Sequence, residues 1–425
     1  ETFKASFAAV YIDHGLSPNA KKWGMHCQHI CYELDIPLTI IEVDGRTKKD
    51  QGPEASARIA RYKAFAQLLE KDETLLTAQH LDDQAETLLL QLLRGSGVKG
   101  LSAMPKIKSF AQGFLCRPVL DYKKQDILNY ARQHQLHWIE DESNDEQCFD
   151  RNYLRHSVLP LLEEHWPAVR ENFAKSAEVL AESQSLLDQM AGSDCYDLYV
   201  RDNQGNVEYN KLLLQPTLKL LKQEPSDNHK SARLNNVLRY WIRINHFPTP
   251  SKKILQQIIS NVLQARQDAM PLVSWQREDV YCAVRRYRDK LYLLDSASSA
   301  RDRNNYLLNE YEPVELGHNQ GIIQCIPANK TCFKQKELFS KTLTIRFRKG
   351  GERYRRAIGE PSHSLKYWFQ EHSIPPWKRE NIPLIFWGDE LIQVGNSIVC
   401  EQLNTDQSSN PLQDSVVILW QKENN

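Results

Sequence analysis

The stretch LLTAQHLDDQAETLLLQLLRGSG, residues 75–97, gives the clearest indication of how this chain folds. A short apolar run ends at a polar cluster that contains His80, Asp82 and Asp83, and a leucine-rich segment then continues to Gly95. This order predicts a strand, a short loop and a helix that stops at glycine. In an open α/β sheet, ligands bind beyond the carboxyl ends of the strands, where this loop is expected to lie. The stretch therefore predicts a ligand site at the loop.

A purely structural interpretation of the same residues is also open. Asp83 and Glu86 have the spacing of a capping box, which by itself would explain both carboxylates. Gln79 and His80 favour the functional interpretation, because a helix cap requires neither of them. Both interpretations remain possible for this loop on the sequence alone.

Length and composition predict an ordinary globular protein of about two to three domains. The chain has 425 residues, of which 41% are hydrophobic and 25% are charged. Its formal net charge is zero, so a nucleic acid would have to bind a local basic patch. No apolar run of the sequence is long enough to cross a membrane. Nine scattered cysteines without a C-x-x-C pair indicate reduced thiols and a cytoplasmic protein.

Apolar patterning predicts a first domain at residues 1–166 in which strands and helices alternate. The expected strands lie at 7–12, 38–43 and 74–78, and the expected helices at 19–34, from 53, at 83–94 and at 123–134. This alternation predicts an α/β fold with a Rossmann-like, doubly wound parallel sheet. The other expected regions are a helix-rich domain at 167–300 with a turn at 285–289, a linker at 301–340 and a small α+β domain at 341–425.

Two further motifs of the first domain carry residue types that suit a nucleotide site. GPEASARIARY, residues 52–62, places Arg58 and Arg61 near one stripe of a helix, although such arginines are most often a solvated face. IEDESND, residues 139–145, precedes DRNYLR, residues 150–155. Capping and ion pairs would explain this acidic loop and its arginines. The alternative is that they place a cationic substrate beside a nucleotide phosphate.

A basic segment lies near the start of the last domain. Between Lys341 and Arg356 there are seven basic residues and one acid, Glu352. A solvated face is the ordinary interpretation of such a run. Here the interleaved Phe347 and Tyr354, together with a glycine pair, favour contact with a phosphate backbone.

Taken together, these motifs make the chain similar to the bacterial tRNA(Ile)-lysidine synthetase family, which belongs to the PP-loop ATPase group. The resemblance covers nearly the whole chain. Besides the motifs quoted above, it rests on DHGLS (13–17), GLSAM (100–104), RPVL (117–120), PTPS (248–251), ARQDA (265–269), RKGGER (348–353), LKYWF (365–369) and IPPW (374–377).

The resemblance implies an ATP-dependent ligase that attaches lysine to the wobble cytidine of isoleucine tRNA. In that family ATP adenylates the cytidine, and the lysine amine then displaces AMP. The resemblance implies catalytic roles for Asp83, Arg58 and Arg151, with Asp83 also a candidate Mg ligand. The implied substrate-binding residues are His80, Glu140, Asp141, Glu142 and Arg155, of which the three acids would place the lysine. The implied tRNA-binding residues are Arg348, Lys349, Arg353, Arg355, Arg356 and Lys366. The expected partners are therefore ATP, lysine and tRNA(Ile), without a membrane, and a homodimer is a candidate assembly.

The sequence departs from the family pattern at its start. The Ser-Gly-Gly-x-Asp-Ser phosphate loop of the family does not occur in the chain, which begins with Glu1. We therefore expect a first domain that lacks its first strand and phosphate loop, and a chain that is inactive as written. Two other functions stay open: another PP-loop tRNA-modifying enzyme, and a non-catalytic tRNA-binding remnant.

Overall fold

The chain folds into two compact units, Glu1–Ala191 and Gly192–Asn425. A computed structural model describes residues 6–45, 53–142, 150–202, 204–222, 232–266, 269–277, 280–295, 304–310, 312–317, 320–327, 333–357, 360–400 and 415–421.

The N-terminal unit alternates strands and helices. Its strands are β1 (Ala9–Asp13), β2 (Leu38–Glu42), β3 (Thr74–Leu76), β4 (Ile107–Phe110) and β5 (Gly113–Cys116). Its helices are α1 (Ala20–Glu33), α2 (Pro53–Leu68), α3 (Leu81–Leu93), α4 (Val98–Leu101), α5 (Lys124–Gln133), α6 (Asp150–Tyr153), α7 (Leu159–His165) and α8 (Val169–Tyr196), whose last residues belong to the second unit. A π-helix, Leu154–Val158, joins α6 to α7.

Parallel pairing organises the strands of this unit. β1 pairs in parallel with β2, and β3 pairs in parallel with β5, which also carries β4 antiparallel on its other edge. Within the described residues these strands form two separate hydrogen-bonded sheets, β1-β2 and β3-β5-β4. The helices that connect the parallel strands confirm the predicted α/β class, because parallel strands require such crossovers. The observed strands and helices also follow the predicted order.

Helix α3 shows why the opening stretch folds as predicted. Ala85, Leu88 and Leu89 recur at helical spacing and are buried. The helix ends at Leu93, and Gly95 follows its cap residue with a φ of 66°, a left-handed conformation that glycine adopts without steric cost. The helix starts at Leu81, earlier than the expected start at 83, because the residue that caps it is His80.

The middle part of the chain combines helices with a sheet. Its helices are α9 (Leu214–Lys222), α10 (Ala232–Ile244) and α11 (Lys252–Gln257), which continues as a π-helix, Ile258–Leu263. Its strands are β6 (Tyr199–Arg201), β7 (Val207–Leu213), β8 (Leu272–Arg277), β9 (Val280–Tyr287) and β10 (Lys290–Asp295), in the order β6-β7-β10-β9-β8. The helices cover this antiparallel sheet, and Trp241, Leu255 and Val284 are fully buried in the core between them.

The β9–β10 hairpin turns more tightly than expected. Tyr287 pairs with Lys290, so only Arg288 and Asp289 form the turn, within the wider expected range of 285–289. Arg286 stays in β9, where its buried guanidinium donates to the carbonyl oxygens of Leu263 (3.1 Å) and Ala265 (2.8 Å). These carbonyls lie at the end of the π-helix, where they have no partner within the helix itself. Arg286 therefore closes the helix end from the sheet.

The described residues of the C-terminal part form three sheets and short helices. One sheet has the order β11 (Tyr306–Leu307), β15 (Leu343–Arg346), β18 (Leu384–Trp387), β19 (Glu390–Val394) and β20 (Ser397–Ile398). A second has the order β12 (Val314–Leu316), β13 (Gly321–Pro327), β21 (Ser415–Gln421) and β14 (Phe333–Lys334), and a third pairs β16 (Arg353–Tyr354) with β17 (His363–Ser364). The helices are α12 (Gln335–Leu338), α13 (Leu365–Glu371) and α14 (Pro376–Arg379).

Residues 301–340, which we expected to be a linker, supply strands to two of these sheets. The longest, β13, pairs with β21 from Ile322 opposite Gln421 to Pro327 opposite Val416. Because the partner strand lies far along the chain, local composition does not indicate the pairing.

Candidate active site and tRNA-binding surface

A reciprocal pair of hydrogen bonds between His80 and Asp83 opens helix α3. The backbone N–H of Asp83 donates to His80 Nδ1 at 3.4 Å, and the backbone N–H of His80 donates to Asp83 Oδ2 at 3.0 Å. This is a capping box in which histidine occupies the place of serine or threonine. A capping box therefore does open the helix, but it is formed by His80 and Asp83 and not by Asp83 and Glu86, the pair that the structural interpretation of the sequence offered.

Glu86 instead forms a buried ion pair with Arg155. The side chain of Glu86 is 0% exposed, and it accepts two hydrogen bonds from the guanidinium, at 2.7 Å from Nε and 3.0 Å from Nη2. Burial opposes the charge of Arg155, but the hydrogen bond and charge of Glu86 outweigh burial and raise the pKa of the arginine. Arg155 Nη2 also lies 3.5 Å from Asp83 Oδ1. The arginine predicted to bind substrate thus joins the π-helix to α3.

Arg151, four residues earlier, contacts the same helix. Its Nη2 donates to Thr87 Oγ1 at 3.2 Å. The structure therefore brings four of the predicted residues together along α3, namely His80, Asp83, Arg151 and Arg155.

Asp82 fixes the other side of the loop. Its Oδ2 accepts the backbone N–H of Lys124 at 2.8 Å, and its Oδ1 lies 3.0 Å from Arg170 Nη1. Arg170 also donates to Glu163 Oε1 at 2.6 Å. Asp82 therefore connects the loop to the starts of α5 and α8.

Arg117 is a functional candidate that our sequence interpretation did not single out. It follows β5 directly, is 3% exposed, and donates to Gln79 Oε1 at 3.0 Å and to the Pro105 carbonyl at 2.7 Å. Gln79 also accepts from Thr77 Oγ1 at 2.6 Å. Its position in RPVL, just after an apolar strand, could have identified Arg117 as a site residue, because ligands bind at the carboxyl ends of parallel strands.

Positive charge is concentrated around Tyr62 on α2. The Arg58 guanidinium lies 4.9 Å from the ring centroid of Tyr62. Burial, together with the charges of Arg117, Arg58 and Lys99, lowers the pKa of Lys108. Burial also lowers the pKa of Arg117, with a further contribution from Arg58, although Tyr62 opposes this shift. Cations that disfavour one another in this way would be stabilised by an anionic ligand. We call Arg58, Lys108 and Arg117 the cationic cluster.

The described part of the acidic loop, residues 139–142, lies at the carboxyl end of β1, whereas residues 143–145 of that motif lie outside the described residues. Glu140, Asp141 and Glu142 are exposed, and Asn19 Nδ2 donates to Glu142 Oε1. The charge of Asp141 acts on His14, at the end of β1, in the direction that raises its pKa. Burial and then Arg61 outweigh this effect, so the pKa of His14 is lowered overall. The acids predicted to place lysine thus lie at a strand end and remain open to solvent.

The described part of the chain contains no ready metal cage. Within it, no group of three or more His, Cys, Asp or Glu side chains is arranged to hold a metal ion. The described residues also include no helix that is both long and apolar enough to cross a membrane.

The predicted tRNA-binding residues lie in the C-terminal part, and five of the six are exposed. The exposed residues are Lys349, Arg353, Arg355, Arg356 and Lys366. Two of these are held by neighbours: Arg353 Nε donates to Ser362 Oγ at 2.8 Å, and Arg355 Nη1 lies 3.6 Å from Glu390 Oε1. The sixth, Arg348, is half-buried, with Nε 3.6 Å from Glu352 Oε2.

Glu352, the one acid of the basic segment, folds back on a glycine turn. Its Oε1 accepts the backbone N–H groups of Lys349 and Gly350, the latter at 2.7 Å. Gly350 and Gly351 have φ values of 104° and 87°, which other residues rarely adopt. The acid therefore shapes the turn and compensates Arg348, while the cations beyond it point outward.

Comparisons with known proteins agree with these features. Residues 1–162 match the PP-loop domain family, residues 224–292 the TilS substrate binding domain and residues 343–418 the TilS substrate C-terminal domain. The PP-loop match begins at residue 1, so it does not support our expectation that this domain lacks its N-terminal segment and is inactive.

Three relatives called tRNA(Ile)-lysidine synthase cover nearly the whole chain. The protein of Coxiella burnetii (strain RSA 493 / Nine Mile phase I) is 40% identical over 92% of this chain and 83% of its own length. The Methylococcus capsulatus protein is 35% identical over 97% of this chain and 89% of its own length. The protein of Legionella pneumophila (strain Lens) is 38% identical over 95% and 87%, respectively. With this identity and coverage, the chain belongs to the tRNA(Ile)-lysidine synthase family.

Proposed function

We propose that the chain ligates lysine to the wobble cytidine of tRNA(Ile) through an adenylated cytidine, with ATP as the second substrate. One observation of the N-terminal unit carries this proposal. The cationic cluster of Arg58, Lys108 and Arg117 and the exposed acids Glu140–Glu142 belong to the same α/β unit. A reaction that joins an anionic nucleotide to a cationic amino acid requires both kinds of site.

The cationic cluster is proposed to stabilise phosphate charge. Arginine suits this role because its planar donor fork matches phosphate oxygens. Arg58 and Arg117 are the proposed contacts during adenylation and AMP release, and Arg151 is a further proposed contact from α6. The proposed role of Glu140, Asp141 and Glu142 is to hold the lysine ammonium, so that its reacting amine meets the activated cytidine.

Asp83 is the one residue that we propose as a ligand of Mg²⁺. Mg²⁺ in nucleotide sites is usually held by one or two carboxylates and the substrate phosphates, so a protein cage is not required. Asp83 is 16% exposed and accepts from the His80 N–H, and its other oxygen lies near Arg155. Asp83 is therefore proposed as the one protein ligand of Mg²⁺.

A homodimer is the proposed assembly, and sedimentation of the purified chain would test it.

The test of the proposed function is AMP release from ATP. We expect release to require tRNA(Ile) with a wobble cytidine and lysine together, and lysine to become attached to that tRNA. The control is the same tRNA with uridine at the wobble position. AMP release that does not depend on lysine and tRNA, or no release at all, would contradict the proposal.

We expect the double variant Arg353→Ala/Arg355→Ala to bind tRNA(Ile) more weakly and with less dependence on salt. Each lost phosphate contact should reduce the slope of log affinity against log salt by about 1, and therefore by about 2 in total. Filter binding between low and moderate salt measures this slope. Lys334→Ala/Lys336→Ala is the matched control, because these exposed lysines lie in the same domain but outside the basic segment. An unchanged slope in the arginine variant would place the tRNA elsewhere.

A further inference from the structure

The β9–β10 hairpin meets helix α14 around the indole ring of Trp377. The ring centroid lies 6.1 Å from Tyr287 and 5.4 Å from Tyr292, with interplanar angles of 81° and 80°. The guanidinium of Arg285 lies 5.0 Å from the same ring. Edge-to-face aromatic pairs and a cation over the indole are favourable, directional contacts. Trp377 is therefore held on several sides by the hairpin of the middle domain.

Polar contacts hold the two sides of this junction in register. Arg379 is 5% exposed, donates to Tyr287 Oη at 3.1 Å and also donates to the Ile374 carbonyl at 2.8 Å. At the hairpin turn, Arg288 donates to Ser373 Oγ and to the Gln370 carbonyl. Two arginines, one from each side, thus donate across the junction to hydroxyl and carbonyl oxygens. Because these acceptors carry no charge, the hydrogen bonds orient the two sides and add little electrostatic attraction.

The buried Nε1 of Trp377 has no hydrogen-bond partner among the described residues. A buried indole N–H usually finds an acceptor. Because this one has none in that part of the chain, the packing of the ring, and not a hydrogen bond, explains its position. The two sides come from separate sequence motifs, RRYRD (285–289) and IPPW (374–377), neither of which contributes to the proposed active site. Both lie in the compact unit Gly192–Asn425.

We propose that Tyr287, Tyr292, Trp377 and Arg379, the Trp377 clamp, join the middle and C-terminal domains into a single tRNA-binding body. These are positioning residues: they touch no substrate, but they fix where the basic segment is presented. A tRNA that meets one preorganised surface does not have to order two independent domains on binding. This proposal rests on the proposed function, since it concerns the tRNA that the chain would modify.

Kinetics with two RNA substrates test the clamp. We expect Trp377→Ala to raise KM for full-length tRNA(Ile) by about tenfold, because several aromatic contacts are lost, while kcat for AMP release stays unchanged. KM for the isolated anticodon stem–loop should not change, because we propose that the basic segment binds a part of the tRNA that this fragment lacks. Tyr287→Phe removes only the hydroxyl that accepts from Arg379, and should raise KM for full-length tRNA less. Its matched control, Tyr281→Phe, removes a hydroxyl from an exposed ring on the same strand.

Calorimetry provides a readout that does not depend on activity. We expect the middle and C-terminal domains to unfold in one transition in the unaltered chain and in two in Trp377→Ala. Equal changes in KM for both RNAs, or a single transition in the variant, would overturn the clamp. If the unaltered chain releases no AMP, the proposed function fails, and the number of transitions still decides the clamp.

Discussion

Replacing Glu86 with leucine should lower the free energy of unfolding of the N-terminal unit by about 3 kcal/mol, the lower end of the range for breaking a buried ion pair. Glu86 is fully buried and binds Arg155 through both carboxylate oxygens. Without it, the guanidinium keeps, among the described residues, the ion pair with Asp83 at 3.5 Å and the 22% of its side-chain surface that is exposed to water. These remaining contacts are why the lower end of the range applies.

Native-state hydrogen exchange of the α3 backbone amides measures the loss of stability in Glu86→Leu, because Glu86 lies on this helix. The double variant Glu86→Leu/Arg155→Met should regain most of the stability, since two apolar side chains replace the pair without leaving a charge behind. Arg94→Gln is the surface control, because the pair of Arg94 and Asp150 is 56% and 73% exposed and should contribute less than about 1 kcal/mol. A double variant as unstable as the single one would show that the loss reflects packing and not an unpaired charge.

Arg58→Ala should reduce kcat for AMP release by roughly 10²- to 10³-fold, the usual cost of removing one donor that stabilises transition-state charge. The proposed reaction moves negative charge between phosphate oxygens, and Arg58 belongs to the cationic cluster around Tyr62. Arg58→Lys should recover only part of the rate, because an ammonium keeps the charge but lacks the planar fork.

The control for Arg58 is Lys63→Ala, an exposed cation on the same helix. It should leave kcat unchanged, which separates a local role from a general effect of charge. Circular dichroism of both variants checks that α2 still forms. Full activity of Arg58→Ala would remove this arginine from the proposed mechanism.

Local patterns predicted the elements of the N-terminal unit well. The observed α1 (Ala20–Glu33) and α5 (Lys124–Gln133) agree closely with the predicted helices at 19–34 and 123–134. The details that failed depend on distant partners. Glu86 has the spacing of a cap residue, but its partner Arg155 lies 69 residues away. His80 as the cap residue was unexpected because serine, threonine, aspartate and asparagine dominate that position.

In the candidate site, too, the sequence indicated local motifs but not contacts between residues that are distant along the chain. The motifs identified the α3 loop, Arg58 and the acidic loop, because each combines several suggestive residues in one short stretch. Arg117 was missed as a site residue because a single arginine after a strand is common, and only the fold places it beside Gln79 and near Arg58 and Lys108. The expectation of a linker at 301–340 did not anticipate β13, because this strand is recognisable only when its partner β21 lies beside it.

The closure of the middle-domain π-helix by Arg286 affects how this domain responds to its medium. Arginine keeps its charge at every pH at which proteins fold, so neither mild acid nor mild base releases the carbonyls of Leu263 and Ala265. Those acceptors are uncharged, so added salt has no ion pair to screen at this position. The N-terminal unit, by contrast, depends on the carboxylates of Asp82, Asp83 and Glu86 at its ligand loop. The end of the π-helix is therefore closed without a carboxylate, whereas three carboxylates hold the ligand loop together.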